Sequence, residues 1–285
     1  MRNLFVLILL LPSFCGVAKT WFETSSPLNQ AHEKLLDNDL KGSFDAMIQV
    51  WQSDPTEYVE NHLNELLQKT LENDCGKSIA TEPVAPWIRS IIVKRQSIQS
   101  PGRTVSRVIV EITSETDITG IRLLRWPDTV VSKEANFEVI KGEAKNIFRI
   151  SYELNQRLPS GLYRLEVNSD NNPPWHQWIV MGESVNKEVV RWESKDSWAV
   201  DRLAQLNPYC TLPVLTVSLY DYIKDEYVRV WNQEYEGKYP TQLPISELKP
   251  DRYVLAVGIT HHRWQGPVII EDQQVISKTY DISSE

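Results

Sequence analysis

Pro83 divides the chain into two patterns. Before it, apolar residues recur every three or four positions, as on the buried stripe of a helix; after it they alternate with polar residues, as on a strand with one face in a core. Residues 19–83 therefore read as a helical segment. Ser26-Pro27 supplies an N-cap followed by proline at the first helical position, and Ala31, Leu35 and Leu36 follow on one side. Leu40, Phe44, Met47, Ile48 and Trp51 form a second stripe, and Val59, Leu63, Leu66, Leu67 and Leu71 a third. Asp54-Pro55-Thr56-Glu57 has the form of a capping box opening the third helix, and Gly76 is placed to end it.

The remainder predicts a mainly β fold with two tandem immunoglobulin-like β-sandwiches. In residues 84–186, Val108, Val110 and Ile112 alternate with Arg107, Glu111 and Thr113, and Phe148, Ile150, Tyr152 and Leu154 alternate with Arg149, Ser151 and Glu153. With turns at Ser100-Pro101-Gly102 and Asn171-Asn172-Pro173-Pro174, about seven short strands fit, the number of such a sandwich. Residues 187–285 read as a linker helix and a second sandwich. The stretch Leu158 to Val167 has a partner in Leu248 to Val257: each is a turn followed by Tyr-x-Leu-x-Val, with Tyr163 and Tyr253 placed like the tyrosine that pins a strand corner. Between the units, Trp198, Val200, Leu203 and Leu206 suggest the short helix, ended by Asn207-Pro208.

Residues 1–18 carry an address. Met1-Arg2-Asn3 is basic, Leu4 to Leu11 is apolar, and Gly16-Val17-Ala18 offers small residues for cleavage after Ala18. The apolar run is shorter than the roughly 20 residues that span a bilayer, so no transmembrane anchor is expected. Removal of Cys15 with this segment leaves Cys75 and Cys210, and an oxidising setting favours a disulfide between them over two buried thiols.

Composition narrows function mainly by exclusion. The formal net charge of −8 argues against nucleic acid as a partner. Arg89, Lys94, Arg95, Arg103 and Arg107 occur with no acid between residues 84 and 110; they read first as a solvated face or a surface turned to the acidic helices, the functional alternative being an anion-facing strand surface. With 11 glycines, phosphate-cradling loops are disfavoured, and no nucleotide or nucleophile-elbow motif occurs. His32-Glu33-Lys34-Leu35-Leu36 starts like a zinc-protease helix, but Leu36 stands where the second histidine belongs. His261 and His262 are adjacent on a strand and point to opposite faces. No catalytic residue, metal site or cofactor is therefore expected. The 10 tryptophans are the compositional excess. Trp51, Trp87, Trp126, Trp178 and Trp231 read as core, while Trp175, His176 and Trp264, beside turns, are the candidate binding residues, since exposed rings can stack on sugars or anchor a partner.

Four stretches carry a family resemblance: Ala31-His32-Glu33-Lys34-Leu35-Leu36-Asp37-Asn38-Asp39-Leu40, Gln49-Val50-Trp51-Gln52, Asn61-His62-Leu63-Asn64 and Gln99-Ser100-Pro101-Gly102-Arg103. Together they resemble a domain-of-unknown-function family of exported gamma-proteobacterial proteins, which implies a periplasmic accessory role linked to envelope sensing. The sequence thus points to a periplasmic or secreted, non-enzymatic protein of a Gram-negative bacterium that binds another envelope protein through strand edges or exposed aromatics. The alternative is a glycan or peptidoglycan binder using Trp175 and Trp264.

Overall fold

A computed structural model describes residues 26–79, 83–142, 145–182, 187–202, 206–244 and 249–282. The proposed signal segment lies outside the described residues. Three helices come first: α1 (Pro27–Leu36), α2 (Leu40–Gln52) and α3 (Glu57–Asp74). The Ser26 hydroxyl accepts from the Asn29 amide at 3.2 Å, and Asp39 caps α2 by accepting from the Gly42 amide at 2.9 Å. The anticipated box at Asp54 is a correction: α3 starts two residues later, with Thr56 as its N-cap and no side-chain cap bond. Asp54 instead takes a positive φ of 55° in the preceding turn. The stripes of α2 and α3 pack together with Leu162 and Val180, so the helices cover the outside of a small sheet.

Fourteen strands follow among the described residues. In the first unit these are β1 (Ile88–Ser100), β2 (Arg103–Ser114), β3 (Gly120–Arg125), β4 (Thr129–Val130), β5 (Ala135–Ile140), β6 (Asn146–Leu154), β7 (Gly161–Ser169) and β8 (Asn172–Met181). The second unit adds β9 (Val189–Trp192), β10 (Trp198–Asp201), β11 (Val214–Ile223), β12 (Glu226–Glu236), β13 (Asp251–Gln265) and β14 (Val268–Ile282). One sheet of eight strands, ordered β12-β11-β13-β14-β1-β2-β6-β5, takes strands from both units. A four-stranded sheet, β4-β3-β7-β8, covers its first half, and the β9–β10 ribbon lies over its second.

The two sandwiches anticipated from sequence do not stand apart. The last strand, β14, pairs in parallel with the first, β1, from Ile91↔Val268 to Gln99↔Ile276, so what would be an edge of each unit becomes the centre of one sheet. The linker helix is likewise corrected: Trp198–Asp201 is strand β10, and the spacing of Trp198 and Val200 is that of a strand face. Leu203 lies outside the described residues. The basic residues of β1 and β2 also find other partners than the helices, namely acids on neighbouring strands: Lys94 with Glu271 at 3.0 Å and Arg107 with Glu153 at 2.5 Å.

Both repeat tyrosines tie back four residues upstream. Tyr163 donates to the Pro159 carbonyl at 2.7 Å and Tyr253 to the Lys249 carbonyl at 3.0 Å. The fold is mainly β with a helical layer, and two separate cores line one face of the large sheet.

Candidate functional site

Side chains of three central strands build a polar trough between these cores. On β1, Ile91 and Val93 belong to the first core, and the next residue on that face is Arg95. On β14, Val268 and Ile270 lie in the first core and Ile276 in the second, with Asp272 and Gln274 between them. On β13, Leu255, Val257 and Ile259 fill the second core before the face turns polar at His261, Arg263 and Gln265. The alternation keeps its period, but its apolar members are replaced where the sheet passes from one core to the other.

Asp272 is the centre of the trough and only 6% exposed. Arg95 Nε lies 2.5 Å from one carboxylate oxygen, Lys187 Nζ 2.9 Å from the other, and Arg263 Nε 4.0 Å from that second oxygen. Burial opposes ionisation of Asp272, yet Arg95 and Lys187 hold its carboxyl well below the usual range. Burial and the neighbouring Arg95 act the other way on the cations, lowering Lys187 to about 8 and Arg263 to about 10. Arg95 also donates to the Gly182 carbonyl at 2.9 Å, and His261 Nε2 sits 2.9 Å from the Glu188 carbonyl. Two glutamines fasten the side sheets: Gln265 bonds both the N–H and the C=O of Val180, and Gln274 does the same for Val190.

The trough opens at both ends. Towards β2 it widens into a cleft of about 430 Å³ reached by Arg107 and Arg157; towards α3 it widens into one of about 820 Å³. Lys187, His261 and Asp272 line both. A covalent link closes the wall at the α3 end. Cys75 ends the helix with a φ of 60° and is bonded to Cys210, 135 residues away. Gly76 follows with a φ of 85°, and a Cβ there would collide with the Trp264 carbonyl oxygen, so this turn requires glycine. The Trp264 amide donates to Cys75 O at 2.9 Å, and Asn207 Nδ2 donates to Leu71 O at the helix end at 2.9 Å.

A second feature lies at the far edge of the large sheet. The β11–β13 ladder ends at Tyr220↔Val254, while β11 and β12 continue to pair to Ile223↔Glu226 around Lys224 and Asp225, both with positive φ. From Asp221 onward the hairpin is therefore a two-stranded arm. Tyr222, Ile223, Tyr227 and Val228 are exposed on it, Tyr227 by 64%, with Val230 exposed just below it on β12, and the Tyr222 and Tyr227 rings meet at 5.0 Å. β12 is also one of the sheet's two outer strands, β5 being the other, and has unpaired backbone groups along one side.

The residues singled out from sequence do not share a surface. Trp175 is buried, 7% exposed, and its Nε1 donates to the Pro83 carbonyl at 2.9 Å. Its expected exposure is a correction: Trp175 points from β8 into the sandwich core, while Trp178, on the opposite face, packs towards the helices. His176 is exposed beside it, and Trp264 is half-buried, with Lys77 Nζ 5.0 Å above its ring. His262 turns towards Glu271 at 3.4 Å, away from the His261 side. His32 meets His62 across α1 and α3, Nε2 to Nε2 at 2.7 Å. Among the described residues no group of three or more His, Cys, Asp or Glu could hold a metal ion, and no helix is long and apolar enough to cross a membrane. Of the trough residues, the sequence reading names Arg95 in the basic run and His261 beside His262, and passes over Lys187, Arg263 and Asp272. Their signal is three long strands whose apolar alternation lapses into His-x-Arg-x-Gln, Asp-x-Gln and a single Arg.

No curated protein matches the chain. The model of DUF2861, described as a protein of unknown function, matches residues 21–281, and the chain belongs to that family.

Proposed function

We propose that the protein is an exported, non-enzymatic binding protein of the Gram-negative envelope that takes an extended segment of another envelope protein onto β12 and the β11–β12 arm. The observation that carries this reading is the arm: four exposed apolar side chains on a hairpin that leaves the sheet, continuous with Val230 and an outer strand whose backbone groups are open to a partner. Strand addition suits it, since main-chain bonds supply affinity and alternate side chains supply selection. Export is supported by the Cys75–Cys210 disulfide, which oxidising compartments sustain, and by the pattern of residues 1–18. An immunoglobulin-like first unit is supported by its strand order, β1-β2-β6-β5 against β4-β3-β7-β8, and by the Tyr163 corner. The tryptophan-based glycan reading loses its main support with Trp175 in the core.

The test is photo-crosslinking in living cells from a reactive residue at position 227, with position 58 on α3, which is more exposed still, as the control. The expected result is an adduct with one other envelope protein from position 227 and not from 58, lost when Val228 and Val230 are both replaced by Lys, which blunts a strand edge. An adduct only with itself, the same adducts from both positions, or an adduct that survives the lysines would contradict the reading.

A further inference from the structure

The α3 end of the trough has the makings of a ligand site. Three cations, Arg95, Lys187 and Arg263, converge on the single carboxylate of Asp272, while on the α3 side of the cleft Lys69 stands with Glu65 and Glu72. Arg95 spends its contacts on Asp272 and Gly182, whereas Arg263 Nη1 is buried and has no acceptor among the described residues. A guanidinium N–H shut away from water without an acceptor costs about 1 to 3 kcal/mol or more, a debt an arriving anion would remove. The surrounding wall is of another character. Leu71, Leu206, Pro208, Tyr209 and Pro213 line the same cleft, and its volume of about 820 Å³ is that of a small-molecule site.

We infer that this cleft binds a small amphipathic anion, its carboxylate or phosphate head on Arg263 and Lys187 and its apolar body along the 206–213 segment. The ligand would sit beside the disulfide, at the place where α3, β13 and the end of the second unit's loop are joined. Binding there would tighten the joint between the helical layer and the large sheet. The site is separate from the β12 arm, so either proposal can fail without the other.

Calorimetric titration of the purified protein with octanoate, octyl phosphate and neutral 1-octanol tests it. One of the two anions should bind saturably at one per chain below about 10 mM, with octanol at least about tenfold weaker. Arg263→Gln should weaken the anion by at least about tenfold with the fold retained by circular dichroism. The head group preferred tells carboxylate from phosphate. Absence of saturable binding for both anions, equal binding of octanol, or an Arg263→Gln protein that binds as well as wild type would overturn the inference. If Arg263→Gln does not fold, the His261 ring signals of the wild-type protein decide: shifts that saturate with the anion support the site, and unmoved signals refute it.

Discussion

The stretches around Tyr163 and Tyr253 look like copies, and their surroundings are not. Both tyrosines tie a strand start to a carbonyl four residues back, yet Tyr163 sits in a core closed by a four-stranded sheet, while Tyr253 sits over a core closed by the two-stranded β9–β10 ribbon. The first unit is covered on both sides of β7 and β8, by the large sheet and by the helices. The large sheet ends in β5 on the first unit's side and in β12 on the second's, and only at the second does a hairpin arm leave the sheet. A repeated corner thus reports how a strand begins, and the strands around it decide how fully its core is closed.

If the two units form one body, breaking their links should unfold both together. The largest effect is expected from Cys75→Ser with Cys210→Ser: closure of this loop is worth about 4 to 5 kcal/mol in the chain-entropy model, read from the urea midpoint. The native protein should take up thiol reagent at neither cysteine until it is reduced. Asp272→Asn comes next, at about 3 to 5 kcal/mol, because Arg95, Lys187 and Arg263 lose their shared counter-charge in a buried place. A single cooperative transition in this variant sharpens the comparison; a second unit that melts alone breaks it.

Acid should expose the same joint. The depressed Asp272 carboxyl supplies stability that is present above the ordinary value of 3.8 and lost as pH falls below it, so Asp272→Asn should flatten that limb. Lys187 acts with the opposite sign: lowered from 10.5 to about 8, it disfavours folding below about pH 8, and the penalty is relieved between those values. Stability against pH, wild type beside Lys187→Met, reads this rise.

Smaller effects separate the two corners. Tyr163→Phe should cost about 1 to 3 kcal/mol, since it leaves a carbonyl unpaired at a closed core, and Tyr253→Phe less, measured by thermal or urea unfolding. Tyr227→Ser on the arm should change stability by no more than about 0.5 kcal/mol, because the ring packs on little besides Tyr222. A cost near that of Tyr163→Phe would mean that the arm serves the fold.

Much of the local structure was legible in the residues. The stripes of α2 and α3, the Ser26 cap and the strand alternation around Val108 and Ile150 follow from spacing alone. The pairing of Cys75 with Cys210 followed once one cysteine was assigned to the leader. What spacing does not carry is which edges meet. The parallel β1–β14 join brings together the first and last strands, with residues 177 apart side by side, and alternation looks the same in a central and an edge strand. Trp175 shows the same limit: a turn beside a ring suggests exposure, and only the sandwich itself shows that this face of β8 looks into the core. The trough residues form a pattern only when three strands are set in register.

Hydrogen exchange followed by mass spectrometry on the purified protein tests the central claim that both units share one sheet with β1 and β14 at its centre. The account predicts that β1 and β14 are among the slowest segments to exchange, together with β2 and β13, while residues 221–230 exchange fast. Fast exchange in β1 and β14, with two protected blocks on either side, would contradict it.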